Sequence, residues 1–148
     1  MKVPILFHTV KVIDDVSLIF REGLVIPFTK LIDFPKCCGA GDGIGKLIVP
    51  DSIYGLKVSA ACFIHDDDWE NAEPTWDAFH SANSRFLTNL LAIINTKSYS
   101  WFFRIPRRYR AMTYYSAVDE ASFIFWRLKK KQKEQGMWGD YELPKGQK

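Results

Sequence analysis

The chain has 148 residues, a length that suits one domain with its own buried core. Hydrophobic residues make up 47% and charged residues 25%, a composition that excludes a disordered chain. The net charge of +3 is too small to indicate a nucleic-acid partner, and no apolar run reaches the roughly 20 residues of a membrane-spanning helix.

The first ten residues, MKVPILFHTV, lack a long apolar segment followed by a small-residue cleavage site. No signal peptide is therefore predicted, and we expect synthesis in the cytoplasm, with a mature exported chain left open. The three cysteines do not form a disulfide framework. Neither Cys-x-x-Cys nor His-x-x-x-His spacing occurs, which disfavours a zinc site.

Residues 1–50 are predicted to form strands and a loop. The segments PILFHTVKVI and SLIFREGLVIPF are rich in β-branched and aromatic residues, and Arg21-Glu22-Gly23 is predicted as a turn between strands. The following stretch, FPKCCGAGDGIGKLIVPD, has four glycines between two prolines, which indicates a permissive loop.

Three helices are predicted from apolar residues at three- and four-residue spacings. The first follows Gly55 and carries His65. The second begins near Trp76 and is amphipathic, with one polar interruption at Asn83. The third is predicted to start at Pro106 and to run into the cationic segment RLKKKQKEQ.

These elements predict a single α+β domain over residues 1–148. Short N-terminal strands and the glycine-rich loop occupy residues 1–50, and a three-helix core occupies residues 55–134. Residues 135–148 are predicted to be a flexible tail because they contain repeated glycine and a proline.

Residues 60–72, AACFIHDDDWENA, place one histidine beside three aspartates. On a helix, the side chains of His65 and Asp66 point about 100° apart, so one can face a cleft while the other reaches a neighbouring loop. Such a pair suits a histidine that acts as a general base on water beside a carboxylate that holds a hard cation. Calcium fits because it binds carboxylate and carbonyl oxygens, which a glycine-rich loop can present. A His-Asp dipeptide alone is weak evidence, and Asp67 and Asp68 are predicted to be a solvated helix face.

Three blocks spanning residues 50–118 resemble prokaryotic-type secreted phospholipase A₂. The segment VPDSIYGLKVSAACFIHDDDW resembles the catalytic helix and its approach, where Pro-Asp and Gly precede Ala-Cys-x-x-His-Asp and an aromatic residue. The segment NSRFLTNL resembles the family's second helix, and AMTYYSAV, residues 111–118, resembles Ala-x-x-Tyr-Tyr-x-Ala-Val in its last helix. Three blocks in the same order are more specific than any one of them.

A second resemblance covers nearly the whole chain, including the N-terminal strands. A family encoded in phages and prophages has a Val-Pro and small-residue loop, Ala-x-x-x-His-Asp, an Ala-Asp-x-x-Phe helix and a Tyr-x-Ala-Val helix. The corresponding segments here are Val25-Ile26-Pro27, Ala61 to Asp66, Ala82-Asn83-Ser84-Arg85-Phe86 and Tyr115-Ser116-Ala117-Val118. This resemblance implies a phage- or prophage-type protein with a phospholipase-like core, without implying the activity.

The resemblance to the phospholipases implies a calcium-dependent lipid ester hydrolase. His65 would be the general base that activates water, and Asp66 would be the carboxylate ligand of calcium. Asp42 and the carbonyl of Gly43 would be further calcium ligands from the glycine-rich loop.

The partner of the histidine departs from the phospholipase pattern. Where those enzymes place an aspartate, this chain has Asn83, and the resemblance implies that Tyr114 and Tyr115 brace it by hydrogen bonds. An asparagine can accept a hydrogen bond from the ring N–H and set the tautomer, but it cannot stabilise an imidazolium by charge. Trp69 replaces the usual tyrosine and offers an N–H but no hydroxyl. Hydrolysis is therefore expected to be weak or absent.

The cysteines allow two interpretations. Cys62 corresponds to a half-cystine of the secreted enzymes, which implies Cys37 or Cys38 as its partner. In a reducing cytoplasm all three would stay thiols, and Cys62 would be a small core residue.

The predicted start of the third helix is rich in aromatic rings and cations: Trp101, Phe102, Phe103, Arg104, Arg107, Arg108 and Arg110. In one interpretation these residues form a contact surface for anionic lipid or phosphate. In the other, the rings pack beneath the helix and the arginines are solvated or paired.

Two functions from different classes follow. The first is a calcium-dependent hydrolase whose partner is phospholipid or a membrane surface. The second is a non-enzymatic phage tail or baseplate accessory protein, virion-associated or released, whose partners are phage structural proteins and whose site is degenerate. His65, Asp66 and the glycine-rich loop favour the enzyme, whereas Asn83 and Trp69 favour the accessory protein.

Overall fold

The computed structural model describes residues 8–35 and 50–135. Its elements in chain order are β1 (His8–Ile13), β2 (Val16–Arg21), a 3₁₀ turn (Leu31–Asp33), β3 (Ser52–Ile53), β4 (Leu56–Lys57), α1 (Ser59–Asn71), α2 (Trp76–Lys97) and α3 (Trp101–Glu134). The predicted α+β fold with short N-terminal strands and three helices is confirmed. Most of the glycine-rich loop, residues 36–49, and residues 136–148 of the predicted tail lie outside the described residues.

The first hairpin turns at an unexpected place. β1 and β2 pair antiparallel, with Ile13 opposite Val16, across the two-residue turn Asp14-Asp15. Both aspartates have positive φ, 51° and 64°, as a tight hairpin turn requires and as aspartate tolerates better than most residues. The chain does turn again after β2, at Gly23, but no strand follows it before residue 35. The prediction of the inter-strand turn at residues 21–23 was therefore wrong.

β2 lies against the helices with one face. Val16, Leu18 and Phe20 are buried, in the alternation that a half-buried strand shows. Between them, the backbone of Ile19 is bound by Asn89 of α2, which accepts from its N–H at 2.7 Å and donates to its C=O at 2.8 Å. This amide joins the hairpin to the helical core.

The helix boundaries differ from the sequence expectation at two places. α1 begins at Ser59 because residues 56–57 pair with residues 52–53 across a tight turn at Tyr54-Gly55, where φ is 46° and 75°. α3 begins at Trp101, so the prediction that it starts at Pro106 was wrong. A proline this close to a helix N-terminus removes one backbone hydrogen bond near the end rather than interrupting a long ladder.

α2 is the central helix and packs against α1, α3 and β2. Thr75 caps its N-terminus by accepting from the backbone N–H of Ala78 at 3.2 Å. The core at the junction of these elements is formed by buried apolar residues, among them Leu18, Ala61, Ile64, Phe86, Leu90, Ile93, Ala111, Tyr114 and Val118. The candidate site lies where polar side chains enter this core between α1, α2 and α3.

Candidate active site

α1 and α2 place His65 and Asn83 against each other in the interior. His65 keeps 6% of its surface exposed and Asn83 none. Nε2 of His65 lies 2.9 Å from Oδ1 of Asn83, although the two residues are 18 apart in the chain. The helices thus bring together the two residues that the sequence resemblance pairs as base and orienting group.

The side-chain amide of Asn83 is the centre of a four-bond network. Its Oδ1 faces Nε2 of His65 and accepts from Nε1 of Trp69 at 3.0 Å. Its Nδ2 donates to Oδ1 of Asp119 at 3.0 Å and to Oγ of Ser122 at 2.6 Å. Both lone pairs and both N–H groups of the amide are therefore used, all by side chains.

This network assigns the histidine tautomer. The indole N–H of Trp69 can only donate, and the carboxylate of Asp119 can only accept, so the orientation of the Asn83 amide is set from both ends. Nε2 of His65 must then carry the proton that it donates to Oδ1, and the lone pair lies on Nδ1. In the described part of the chain no side chain or backbone group hydrogen-bonds to Nδ1. His65 is thus arranged to accept a proton at Nδ1.

The ring of His65 contacts two aromatic rings. Its centroid is 4.6 Å from that of Trp69 and 4.7 Å from that of Phe86. Burial is the main reason that the pKa of His65 falls from 6.5 to about 4. The hydrogen bond that Nε2–H donates to Asn83 opposes this fall, and the positive charge of Arg85 lowers the pKa further. His65 is consequently neutral at pH 7, as a general base must be, but weakly basic.

The groups that hold Asn83 are not the predicted ones. Tyr114 is buried and Tyr115 half-buried, but within the described residues neither hydroxyl makes a hydrogen bond to Asn83. Asp119 and Ser122, one and two helical turns further along α3, take that role. The spacing of four and seven residues from Tyr115 was the available signal, because it places all three side chains near one helix face.

The network reaches solvent at Asp119. Its carboxylate side chain is 36% exposed, and Oδ1 lies 3.7 Å from Nδ1 of His80, which is itself exposed. A negative charge therefore stands beyond the neutral amide of Asn83, on the side away from His65.

Asp66 is the one predicted calcium ligand in the described part of the chain. The pKa of its carboxyl rises from 3.8 to about 7, first because protein atoms desolvate it and second because Glu70 is negative. The residue as a whole is exposed, so solvent counteracts part of this desolvation. Among residues 8–35 and 50–135, no cation contributes to the pKa of Asp66, so a bound cation would supply a compensating charge that the described structure does not.

The other implied ligands cannot be placed. Asp42 and Gly43 lie outside the described residues. Among residues 8–35 and 50–135, no three His, Cys, Asp or Glu side chains approach closely enough to hold a metal ion. Asp66 alone does not make a calcium site, because calcium takes six to eight oxygen ligands.

The two aspartates after Asp66 are not a solvated helix face, and that prediction was wrong. Asp67 accepts from Nε of Arg21 at 2.6 Å, which ties α1 to the end of β2. Asp68 has a fully buried side chain and accepts from Nε of Arg85 at 2.8 Å. Burial raises the pKa of Asp68, and the ion pair with Arg85 opposes that rise. Both carboxylates therefore form ion pairs that join α1 to another element, Asp67 to β2 and Asp68 to α2.

Cys62 lies on α1, one turn before His65, and is buried. It is disulfide-bonded, so the thiol interpretation does not hold for it. The chain's two other cysteines, Cys37 and Cys38, lie outside the described residues.

Comparison of the chain with protein-family models, curated proteins and solved structures found no match. The two resemblances therefore rest on the residues quoted for them. No helix in the described ranges is long and apolar enough to span a bilayer.

Proposed function

We propose that the protein hydrolyses lipid esters with His65 as general base and calcium as the assisting cation. The observation that carries this proposal is the contact of His65 Nε2 with Asn83 Oδ1 at 2.9 Å, which leaves the Nδ1 lone pair available. A buried histidine with one nitrogen anchored and the other unpaired has the arrangement that a water-activating base needs.

The proton movements follow from the tautomer. Nδ1 of His65 takes a proton from a water molecule as the oxygen attacks the ester carbonyl, and the resulting imidazolium later gives that proton to the leaving alkoxide. Asn83 holds Nε2–H throughout and prevents rotation of the ring. At Nε2 the imidazolium meets the dipole of the Asn83 amide, and the charge of Asp119 lies one hydrogen bond further away.

Calcium would be bound by Asp66 together with Asp42 and the Gly43 carbonyl. When bound, it would polarise the ester carbonyl and stabilise the developing oxyanion. It would also hold Asp66 ionised, against the upward shift of that carboxyl's pKa.

The proposal is tested by fatty-acid release from mixed phospholipid vesicles, with calcium and with a chelator. We expect slow calcium-dependent release by the wild type and none by His65→Ala. The informative variant exchanges the amide and the carboxylate, Asn83→Asp with Asp119→Asn, because it keeps the net charge and moves the negative charge next to His65.

The single variant Asn83→Asp is the matched control for the exchange. It would place two carboxylates at the 3.0 Å separation that now joins Asn83 and Asp119, so one of them would take up a proton. In the exchange variant, the carboxylate at position 83 raises the pKa of His65 and stabilises its cation. We expect release about tenfold faster than in the wild type, the difference between a neutral and a charged hydrogen bond. Absence of calcium-dependent release in both the wild type and the exchange variant would refute the proposal.

A second function is favoured by the completeness of the same network. Every hydrogen-bonding group of the Asn83 side chain is satisfied, and His65 is buried against two aromatic rings, as expected of a polar network that only specifies packing. In that case the protein is a non-enzymatic phage tail or baseplate accessory whose partners are phage structural proteins. An exchange variant that folds but releases no fatty acid supports this second function.

A further inference from the structure

The first three turns of α3 carry apolar side chains on the outside of the molecule. Trp101, Phe102, Ile105, Tyr109 and Met112, here called the outer stripe, are 47–77% exposed. At 100° per residue they share one side of the helix, whereas the buried residues of α3 lie on the other. Large aromatic and aliphatic side chains grouped in this way mark an interaction surface.

The surroundings of the outer stripe are cationic. No Asp or Glu occurs between Asp77 and Asp119, a stretch that contains six Lys and Arg residues. Four of them lie on the same turns of α3: Arg104, Arg107, Arg108 and Arg110.

The described structure gives these four arginines only neutral partners. Arg104 and Arg107 donate to Ser98, and Arg107 also donates to the carbonyl of Tyr54. Arg108 donates twice to Oδ1 of Asn95, at 2.9 and 2.7 Å. Arg110 lies over the ring of Tyr114, at 5.2 Å from its centroid.

These contacts orient the guanidinium groups without neutralising them. Within residues 8–35 and 50–135, none of the four arginines pairs with a carboxylate, while Arg21 and Arg85 each do. Arg108 and Arg110 are exposed and flank the outer stripe on its two sides. The surface therefore combines apolar anchors with unpaired positive charge.

We propose that the outer stripe and its flanking arginines bind the surface of an anionic phospholipid bilayer, with α3 lying in the plane of the membrane. Tryptophan, tyrosine and phenylalanine partition to the boundary between headgroups and acyl chains, and arginine binds lipid phosphate. A second copy of the chain is a poorer occupant, because its identical stripe would bring eight arginine charges together without an acidic residue between Asp77 and Asp119. The inference rests on α3 alone and does not depend on hydrolysis at His65.

Binding is measured by co-sedimentation of the full chain with vesicles of phosphatidylcholine containing phosphatidylglycerol, and with vesicles of phosphatidylcholine alone. A chelator is present throughout, which separates this binding from any calcium-dependent step at His65. We expect binding to the anionic vesicles, loss of it at high salt, and little binding to the neutral vesicles. His65→Ala is expected to bind like the wild type.

Two pairs of variants test the two components of the surface. Ile105→Ser with Tyr109→Ser should weaken binding more than about tenfold. Val25→Ser with Ile32→Ser, which replaces two exposed apolar side chains elsewhere in the chain, should not. Arg108→Gln with Arg110→Gln should weaken binding about 25-fold, at about fivefold for each cation near the membrane. The control for this variant removes two exposed cations further along α3, Arg127→Gln with Lys131→Gln, and should weaken binding clearly less.

Three results would overturn the proposal. One is that the wild type binds neutral vesicles as strongly as anionic ones, or binds neither. Another is unchanged binding by both the Ile105→Ser, Tyr109→Ser variant and the Arg108→Gln, Arg110→Gln variant, with circular dichroism showing that both are folded. The third is a wild-type dimer in sedimentation equilibrium that the Ile105→Ser, Tyr109→Ser variant converts to a monomer, which would assign the surface to a second copy.

Discussion

Two asparagines on α2, Asn83 and Asn89, are six residues apart and both fully buried, but their side-chain amides bind different kinds of partner. Asn89 uses its amide on the backbone, accepting from and donating to Ile19 of β2. Asn83 uses its amide on side chains only, and these include the imidazole of His65 and the carboxylate of Asp119.

Hydrogen-bond partners separate an amide with a structural role from an amide that belongs to the candidate site. An amide that completes a strand's hydrogen bonds satisfies backbone groups which would otherwise be buried without partners. This requirement does not change with the charge of any side chain. An amide that links a histidine to a carboxylate sets the tautomer of the histidine, and its own orientation depends on the charge of the carboxylate. Burial alone, which is the same for both residues, does not distinguish them.

The largest effect is expected from Asn89→Leu. The substitution leaves the N–H and the C=O of Ile19 without partners, and each such group costs about 1–3 kcal/mol. We expect the free energy of unfolding to fall by about 4 kcal/mol in urea denaturation, while the ¹⁵N shifts of the His65 ring stay unchanged.

Thr88→Val is the control for Asn89→Leu. Thr88 is exposed at the preceding position, and among the described residues its hydroxyl bonds only to the backbone carbonyl of Ser84 in its own helix. The substitution should change the free energy of unfolding by less than about 0.5 kcal/mol. A loss below about 1 kcal/mol in Asn89→Leu would contradict the structural role assigned to that amide.

A smaller effect on the free energy of unfolding is expected from a change of pH. It arises at His65, the partner of Asn83, and not at Asn89. The pKa of His65 is about 4 in the folded chain and near 6.5 in the unfolded chain, so between these values the unfolded chain binds the extra proton. The contribution of His65 to stability is therefore fully present above pH 6.5 and lost as the pH falls to 4. It amounts to about 3 kcal/mol.

This contribution is obtained as the difference in unfolding free energy between the wild type and His65→Gln across that pH range. The difference cancels the opposite slope from Asp66, whose pKa is raised. Asn89→Leu should retain the wild-type slope. A difference that does not change between pH 4 and 6.5 would show that His65 is not desolvated in solution.

The smallest effect is expected from Ser122→Ala. Asn83 Nδ2 loses one of its two acceptors but keeps Asp119, so the amide should keep its orientation. We expect a loss of about 1 kcal/mol in unfolding free energy and an unchanged Nε2–H tautomer of His65, read from the ¹⁵N shifts of the ring. A switch to the Nδ1–H tautomer would mean that Ser122 rather than Asp119 orients the amide.

Part of the site was predictable from the sequence. His65 and Asn83 lie on predicted helices at positions that their apolar neighbours place toward the interior, and the resemblance supplied their pairing. Asp119 and Ser122 were missed because their spacing from Tyr115 indicates a shared helix face but does not identify the partner opposite it, which lies 36 or 39 residues earlier in the chain. Asp68 was misassigned because its partner, Arg85, lies on another helix, and a run of aspartates by itself resembles a solvated face.

The α+β class and the existence of three helices were predictable from the sequence alone, since both follow from apolar periodicity and from glycine and proline, which act within a few residues. Three features are visible only in the folded chain: the orientation of the Asn83 amide, the tautomer of His65, and the outward position of the outer stripe on α3. These depend on how three helices cross, because a buried hydrogen bond needs both partners within about 3 Å. Periodicity assigns a side chain to a face of its helix but does not say what stands opposite.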